Sequence, residues 1–152
     1  MEIKTFEDLI DWTRQLHAHL ARCLHDAAEK HNNERTSALM DYVASHEAML
    51  AKTVTEFEKQ ANPKVLQTRL YDYQNHKPLK PGAACDPRFT TMSFDDIAKE
   101  IFAFHDQVMD LYKTLIGKAE IEGAKTLLED LLSLEQHEAM QLSSQIGRMN
   151  DL

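Results

Sequence analysis

The sequence predicts an all-α protein: an antiparallel four-helix bundle built from two duplicated helical hairpins joined by a long crossover connection. Three observations carry this expectation. Only 4 glycines and 4 prolines occur among 152 residues, which favours helices over turn-rich β architecture. Four segments place apolar residues at helical spacing. The two halves also resemble each other. Phe6-Glu7-Asp8-Leu9 matches Phe94-Asp95-Asp96-Ile97 in character, and a histidine follows each phenylalanine by 11 residues, His17 and His105. The tetrapeptide His-Glu-Ala-Met then occurs twice, 29 residues after His17 and 32 after His105.

The first hairpin is expected over residues 5–61. Its first helix, about Thr5 to Lys30, carries Phe6, Leu9, Leu16, Leu20 and Leu24 on one face. Thr5 with Asp8 three positions on is a capping-box variant, and the acid suits the positive end of the helix dipole. His31-Asn32-Asn33 breaks this helix and can cap the next. The second helix, roughly Glu34 to Ala61, aligns Leu39, Val43, Leu50, Val54 and Phe57, and Pro63 follows its end.

Residues 62–92 form the predicted crossover. A short helix is expected over Lys64 to Tyr73, followed by an extended stretch containing Pro78, Pro81 and Pro87. A connection of this length can run from one end of a bundle to the other. The second hairpin spans 93–150. Ser93 and Asp96 repeat the cap, and Ile97, Ile101, Phe104, Val108 and Leu115 form the third stripe, with Gly117 as the expected stop. The fourth helix begins near Ile121 and carries Leu127, Leu128, Leu131, Leu142 and Ile146. Neither hairpin alone would bury its apolar face, so the whole chain is expected to be one domain.

Composition excludes several function classes. A formal charge of −8 argues against nucleic acid and against anionic membrane. The start, Met-Glu-Ile-Lys-Thr-Phe-Glu-Asp, lacks the basic and apolar pattern of a signal peptide, and no apolar run approaches the ~20 residues of a membrane span. Cys23 and Cys85 fit neither a C-x-x-C pattern nor a disulfide framework, so a reduced, cytoplasmic protein is expected. No haem, flavin or nucleotide is expected: the C-x-x-C-H attachment, the Gly-rich phosphate loop and G-x-S-x-G are all missing. His-Glu-Ala-Met opens like a zincin motif, but Leu50 and Gln141 stand where its second histidine is required.

Polar side chains that project into the apolar stripes carry the functional signal. On a helical wheel His17 lies roughly 45° from the centre of its stripe, and His105 repeats that offset. Glu138 falls between Leu134 and Leu142, Glu135 flanks the same stripe, and His46 and Glu47 bracket the stripe of the second helix. His137 projects away from its stripe, so the two tetrapeptides are not equivalent throughout. The best symmetric set is His17, Glu47, His105 and Glu138. Ionised groups inside a bundle are expensive unless they are paired or hold a metal. Two imidazoles facing two carboxylates suit either arrangement.

A doubled hairpin, a long crossover and a Glu/His-rich centre resemble the ferritin-like superfamily, particularly small rubrerythrin-like proteins without the rubredoxin domain. That pattern sets one Glu on each first helix and Glu-x-x-His on each second helix around two ions. Here His17 and His105 occupy the first-helix places, and neither half keeps Glu-x-x-His, since Val43 and Leu134 stand three residues before His46 and His137. The resemblance implies one or two iron or manganese ions. His17, His105, Glu47 and Glu138 would be the ligands, and Glu135 and His46 secondary ligands or orienting partners. It further implies oxidant or metal handling, with or without catalysis.

The competing reading is a non-catalytic bundle, an interaction or stress-response module that has lost the metal site. Tyr71, Tyr73 and Leu79 of the connection would then face a partner. A homodimer is the expected assembly in either case, its redox or protein partner unidentified.

Overall fold

The computed structural model describes residues 3–70 and 86–150. Its long helices are α1 (Phe6–Lys30), α2 (Glu34–Gln60), α4 (Phe94–Lys118) and α5 (Glu122–Asn150); α3 is the single turn Pro63–Leu66, and a 3-10 turn covers Pro87–Thr90. Among the described residues there is no strand, and the isolated bridge between Thr5 and Arg69 ties the connection to the start of α1. Its backbone bonds run from Leu70 N–H to Lys4 O (2.8 Å) and from Phe6 N–H to Thr68 O (3.2 Å).

Local chemistry sets the helix ends. Thr5 and Asp8 form a full capping box, each side chain accepting from the other's backbone N–H. Asn33 caps α2 by accepting from Thr36 N–H at 2.9 Å, and Ser93 caps α4 through Asp96 N–H. Between α1 and α2, Ser37 Oγ donates to Ala28 O at 2.7 Å, satisfying a carbonyl the helix end leaves open. Three expectations shift. Gly117 does not stop α4, which runs on to Lys118 and ends at Ala119 in extended conformation. Among the described residues, the short helix expected over Lys64 to Tyr73 covers only Pro63–Leu66, begun by Asn62 and a proline at its first position. Cys23 is disulfide-bonded, which corrects the reading without a disulfide and removes the ground for a reduced compartment. Cys85, Tyr71, Tyr73 and Leu79 lie outside the described residues.

One core runs the length of the bundle. Leu9, Ile10, Leu16, Leu20 and Leu24 of α1 meet Leu39, Met40, Val43, Leu50 and Val54 of α2 in the same cluster as Ile97, Ile101, Val108 and Leu115 of α4 and Leu127, Leu128, Leu131 and Leu142 of α5. Each such fully buried side chain contributes on the order of 2 kcal/mol. Phe89 plugs this core from the 3-10 turn, and His31 Nε2 donates to Met92 O at 2.8 Å, closing the loop end of the first hairpin onto the connection. No helix of the described residues is long and apolar enough to cross a membrane.

The two hairpins follow one register. A constant 88 residues separates Phe6 from Phe94, His17 from His105, Leu39 from Leu127, Val43 from Leu131 and Val54 from Leu142, and all ten are buried. The repeated tetrapeptide does not obey it. His46 and Glu47 correspond to Leu134 and Glu135, and the second His-Glu-Ala-Met lies three residues further along.

Candidate metal centre

The long helices bring four side chains together at the middle of the bundle: His17 from α1, Glu47 from α2, His105 from α4 and Glu135 from α5. Each is no more than 2% exposed. They form a closed ring. His17 Nδ1 lies 2.6 Å from Glu47 Oε2 and His17 Nε2 lies 2.6 Å from Glu135 Oε1. His105 Nε2 lies 2.6 Å from Glu47 Oε1, and His105 Nδ1 lies 3.2 Å from Glu135 Oε2. Each imidazole thus uses Nδ1 toward the carboxylate of its own hairpin and Nε2 toward that of the other. The two rings sit with centroids 5.4 Å apart.

The imidazoles hold both carboxyl pKa values below the ordinary range, so both acids are ionised: their four oxygens accept, and the four ring nitrogens donate. Both histidines are therefore imidazolium, and the ring carries two positive and two negative charges. Burial alone would strip the proton from His17, but the charges of Glu135 and Glu47 and the bonds to them outweigh it and lift its pKa to about 9. Burial likewise opposes the charge on His105, and Glu47's charge with bonds to both carboxylates raises it to about 10. Burial would push the two acids up. The imidazolium charges reverse that, holding Glu47 well below the usual carboxylate range and Glu135 at about 2. Among the described residues no buried side-chain nitrogen or oxygen lacks a hydrogen-bond partner.

The helical wheel found His17, Glu47, His105 and Glu135, but it ranked Glu138 above Glu135. The register explains the exchange. Three residues advance a helix by ~300°, so the tetrapeptide match moved the choice ~60° around α5 and one turn along it. Glu138 is only partly buried and approaches His46 instead, with Nδ1 to Oε2 at 3.6 Å. His137, Met49 and Met140 are exposed, which leaves the methionines no role in the interior.

Two neighbours of the ring escaped the sequence reading. Thr13, one turn before His17, donates to Leu9 O at 3.0 Å. Its oxygen then accepts from the hydroxyl of Tyr112, two turns beyond His105 and wholly buried. Burial first, and then the charge of Glu135, raise the Tyr112 phenol well above its ordinary pKa, so it remains a donor. The signal was present, since Thr13 lies in the apolar stripe of α1, but a threonine bonded to its own helix is common enough to pass as core.

No protein-family model matches the chain, and no curated protein matches it. A solved structure does. A crystal structure from Thermotoga maritima, provisionally described as a ferritin-like diiron-carboxylate protein, aligns over 95% of this chain and 96% of that one, with a TM-score of 0.55 and 12% sequence identity. The chain has the ferritin-like fold.

Within ferritin-like bundles, a two-ion centre takes a Glu from each of two helices and Glu-x-x-His from each of the other two. This chain has imidazoles on α1 and α4, and a single ring carboxylate on each of α2 and α5, Glu47 and Glu135. Two carboxylates are thereby missing, and the residues present do not fit two ions. They do fit one. Ligand atoms of His17, Glu47 and His105 all lie within 4.8 Å of one another, and Glu135 closes the ring. Two imidazole nitrogens and two carboxylates suit a single first-row divalent ion.

Proposed function

We propose that this ferritin-like bundle binds one divalent iron or manganese ion with His17, Glu47, His105 and Glu135 and serves in metal or oxidant handling. The observation that carries the reading is the closed ring itself: four ligand-type side chains, one from each long helix, buried together and bonded to one another. Charge supports it. The metal-free ring is neutral with two imidazolium and two carboxylate groups. Neutral imidazoles, two carboxylates and one divalent ion are neutral as well. An ion can therefore replace two protons without leaving net charge in the core.

The chain's own residues have defined parts. His17 and His105 would each release one proton and offer a ring nitrogen, while the carboxylates, already ionised, turn from hydrogen-bond acceptors into anionic ligands. The surrounding leucines exclude water and hold the four helices at fixed separation. An iron or manganese ion held there supplies one-electron redox chemistry. The Thermotoga maritima protein's description as diiron-carboxylate supports the choice of metals, whereas a ring with only two carboxylates supports a single ion.

A second reading has its own support. Since every donor and acceptor of the ring is already matched, the same four residues would also serve as a fully satisfied ionic clamp in a bundle without metal chemistry. Titration of chelator-treated protein with manganese, and with ferrous iron under anaerobic conditions, separates the two. One tightly bound ion per chain, abolished in His17→Ala/Glu135→Ala, is expected. Substoichiometric metal that is unchanged in that variant would leave the clamp.

A further inference from the structure

The 88-residue register makes the hairpins nearly interchangeable around the ring, and it breaks at one place that bears on access. His46 of α2 approaches Glu138 of α5 at 3.6 Å. Their pseudo-equivalents are Leu134 and Leu50. Positions related by this register therefore carry an approaching polar pair in one case and two leucines in the other. Both leucines belong to the hydrophobic interior, with Leu50 fully buried and Leu134 packed against the cluster. The polar pair is open. Its side chains are 25% and 23% exposed, whereas every ring member is nearly inaccessible.

The geometry points to His46 and Glu138 as a port through which the buried ring exchanges its ion with solvent. This rests on the metal reading above. His46 is the chain neighbour of Glu47, and Glu138 lies one turn beyond Glu135, so each port residue is joined to a ring carboxylate through its own helix. At 3.6 Å the two are too far apart for a hydrogen bond. An imidazole nitrogen and a carboxylate oxygen therefore remain uncommitted to each other. The other ring nitrogen of His46 meets the Tyr42 hydroxyl at 3.0 Å, which orients the imidazole. A hydrated divalent cation needs substitutes for its waters as it enters a low-dielectric interior. His46 and Glu138 supply one nitrogen and one oxygen from partly exposed side chains, and Leu50 and Leu134 supply none.

Cobalt(II) is the probe, because its visible absorption reports entry into a nitrogen–oxygen site directly. Chelator-treated wild type, His46→Leu/Glu138→Leu and the milder Glu138→Gln are mixed with cobalt chloride in a stopped-flow instrument, after circular dichroism has shown that each is folded. The double variant copies the two leucines already present at the register-related positions. Its uptake is expected to slow by about tenfold or more, since the ion must wait for the bundle to open locally, with the final absorbance unchanged. Glu138→Gln should fall between the two. Adding Leu134→His/Leu50→Glu to the sealed protein would rebuild the port at the register-related positions and restore the rate. Unchanged uptake in both port variants overturns the port while leaving the metal centre standing. A lost final absorbance also overturns it, because the pair would then be part of the ion's own ligand set. No cobalt signal in wild type removes the metal reading and the port with it.

Discussion

Glu135→Gln is the sharpest single perturbation of the ring. In the metal-free protein Glu135 accepts from His17 at 2.6 Å and from His105 at 3.2 Å in a site 1% exposed. The substitution keeps the shape and removes one charge. One glutamine oxygen can still accept, but its NH2 group faces the second imidazole N–H, donor to donor. Two outcomes compete. A retained second imidazolium is a buried unpaired charge, worth about 3–5 kcal/mol. A released proton forfeits the stabilisation that lifts His17 from 6.5 to about 9, which at pH 7 is about 3 kcal/mol. The cheaper route sets the expectation, a loss of about 3 kcal/mol from a total of about 5–15. Urea unfolding of chelator-treated protein should show a lower midpoint with an unchanged slope. A loss below about 1 kcal/mol, the range of an exposed ion pair, would refute the ring.

The same protein has a defined pH profile. The histidine pKa values are raised on folding, so their contribution is complete below 6.5 and is lost as pH rises toward about 9 and 10. The glutamate values are depressed, so theirs is complete above 4.5 and is lost as pH falls, for Glu135 toward about 2. Stability should therefore peak between about 4.5 and 6.5 and fall on the alkaline side by up to ~2.7 kcal/mol per pH unit, two protons' worth. Glu135→Gln should roughly halve that alkaline slope, and a wild-type slope near zero at pH 8 would contradict a doubly protonated ring.

Ion binding at pH 7 should release about two protons, measured by calorimetry in buffers of different ionisation enthalpy; release of fewer than one would mean that the ring is not the ligand set. Thr13→Val should cost about 1–3 kcal/mol because it strands the buried Tyr112 hydroxyl, whereas Tyr112→Phe should cost about 1 because Thr13 keeps its bond to Leu9 O. Reversal of that order in chemical denaturation would contradict the assigned direction of the bond. Replacing His17, Glu47, His105 and Glu135 together by leucine should leave stability unchanged or raise it by about 1–4 kcal/mol while abolishing metal uptake, and a large loss of stability would instead make the ring a structural necessity.

Much of this architecture was legible because helix periodicity is a local signal. The stripes of Leu9, Leu16 and Leu20 or of Leu128, Leu131 and Leu142 depend on spacing alone, and all six residues are buried. Thr5, Asn33 and Ser93 were readable for the same reason, since a cap bonds within its own first turn. His17 and His105 stood out as polar residues within apolar stripes. Choosing between Glu135 and Glu138 required more. Both lie near one face of α5, and the deciding contacts come from His17 and His105 on two other helices. Identity of four letters favoured the wrong register because the tetrapeptide repeats residues, not positions. The constant spacing from His17 to Glu47 and from His105 to Glu135, 30 residues each, was in the sequence and would have selected Glu135. Gly117 failed for a related reason: a glycine stops a helix where the chain turns into a left-handed conformation, and here α4 continues through Lys118 and leaves at Ala119 in extended conformation.

An ionic ring of this kind is a poor way to stabilise a bundle. Apolar side chains of similar volume would fill the same space without desolvating four charges. The ring's neutrality gives it a different property. With two protons aboard, or with one divalent ion in their place, the interior bears the same net charge, so the fold need not reorganise its electrostatics when cargo changes. The two-ion pattern of ferritin-like bundles lacks that equivalence, because four carboxylates and two imidazoles without metal leave negative charges facing one another unless several bind protons. A ring limited to two carboxylates, Glu47 and Glu135, thus belongs with the imidazoles of His17 and His105. Removing two acids and placing imidazoles on α1 and α4 yields a centre that is satisfied when empty. Introducing Ala44→Glu/Leu132→Glu, about one turn before each ring carboxylate, should destabilise the chelator-treated protein, and metal should recover that loss.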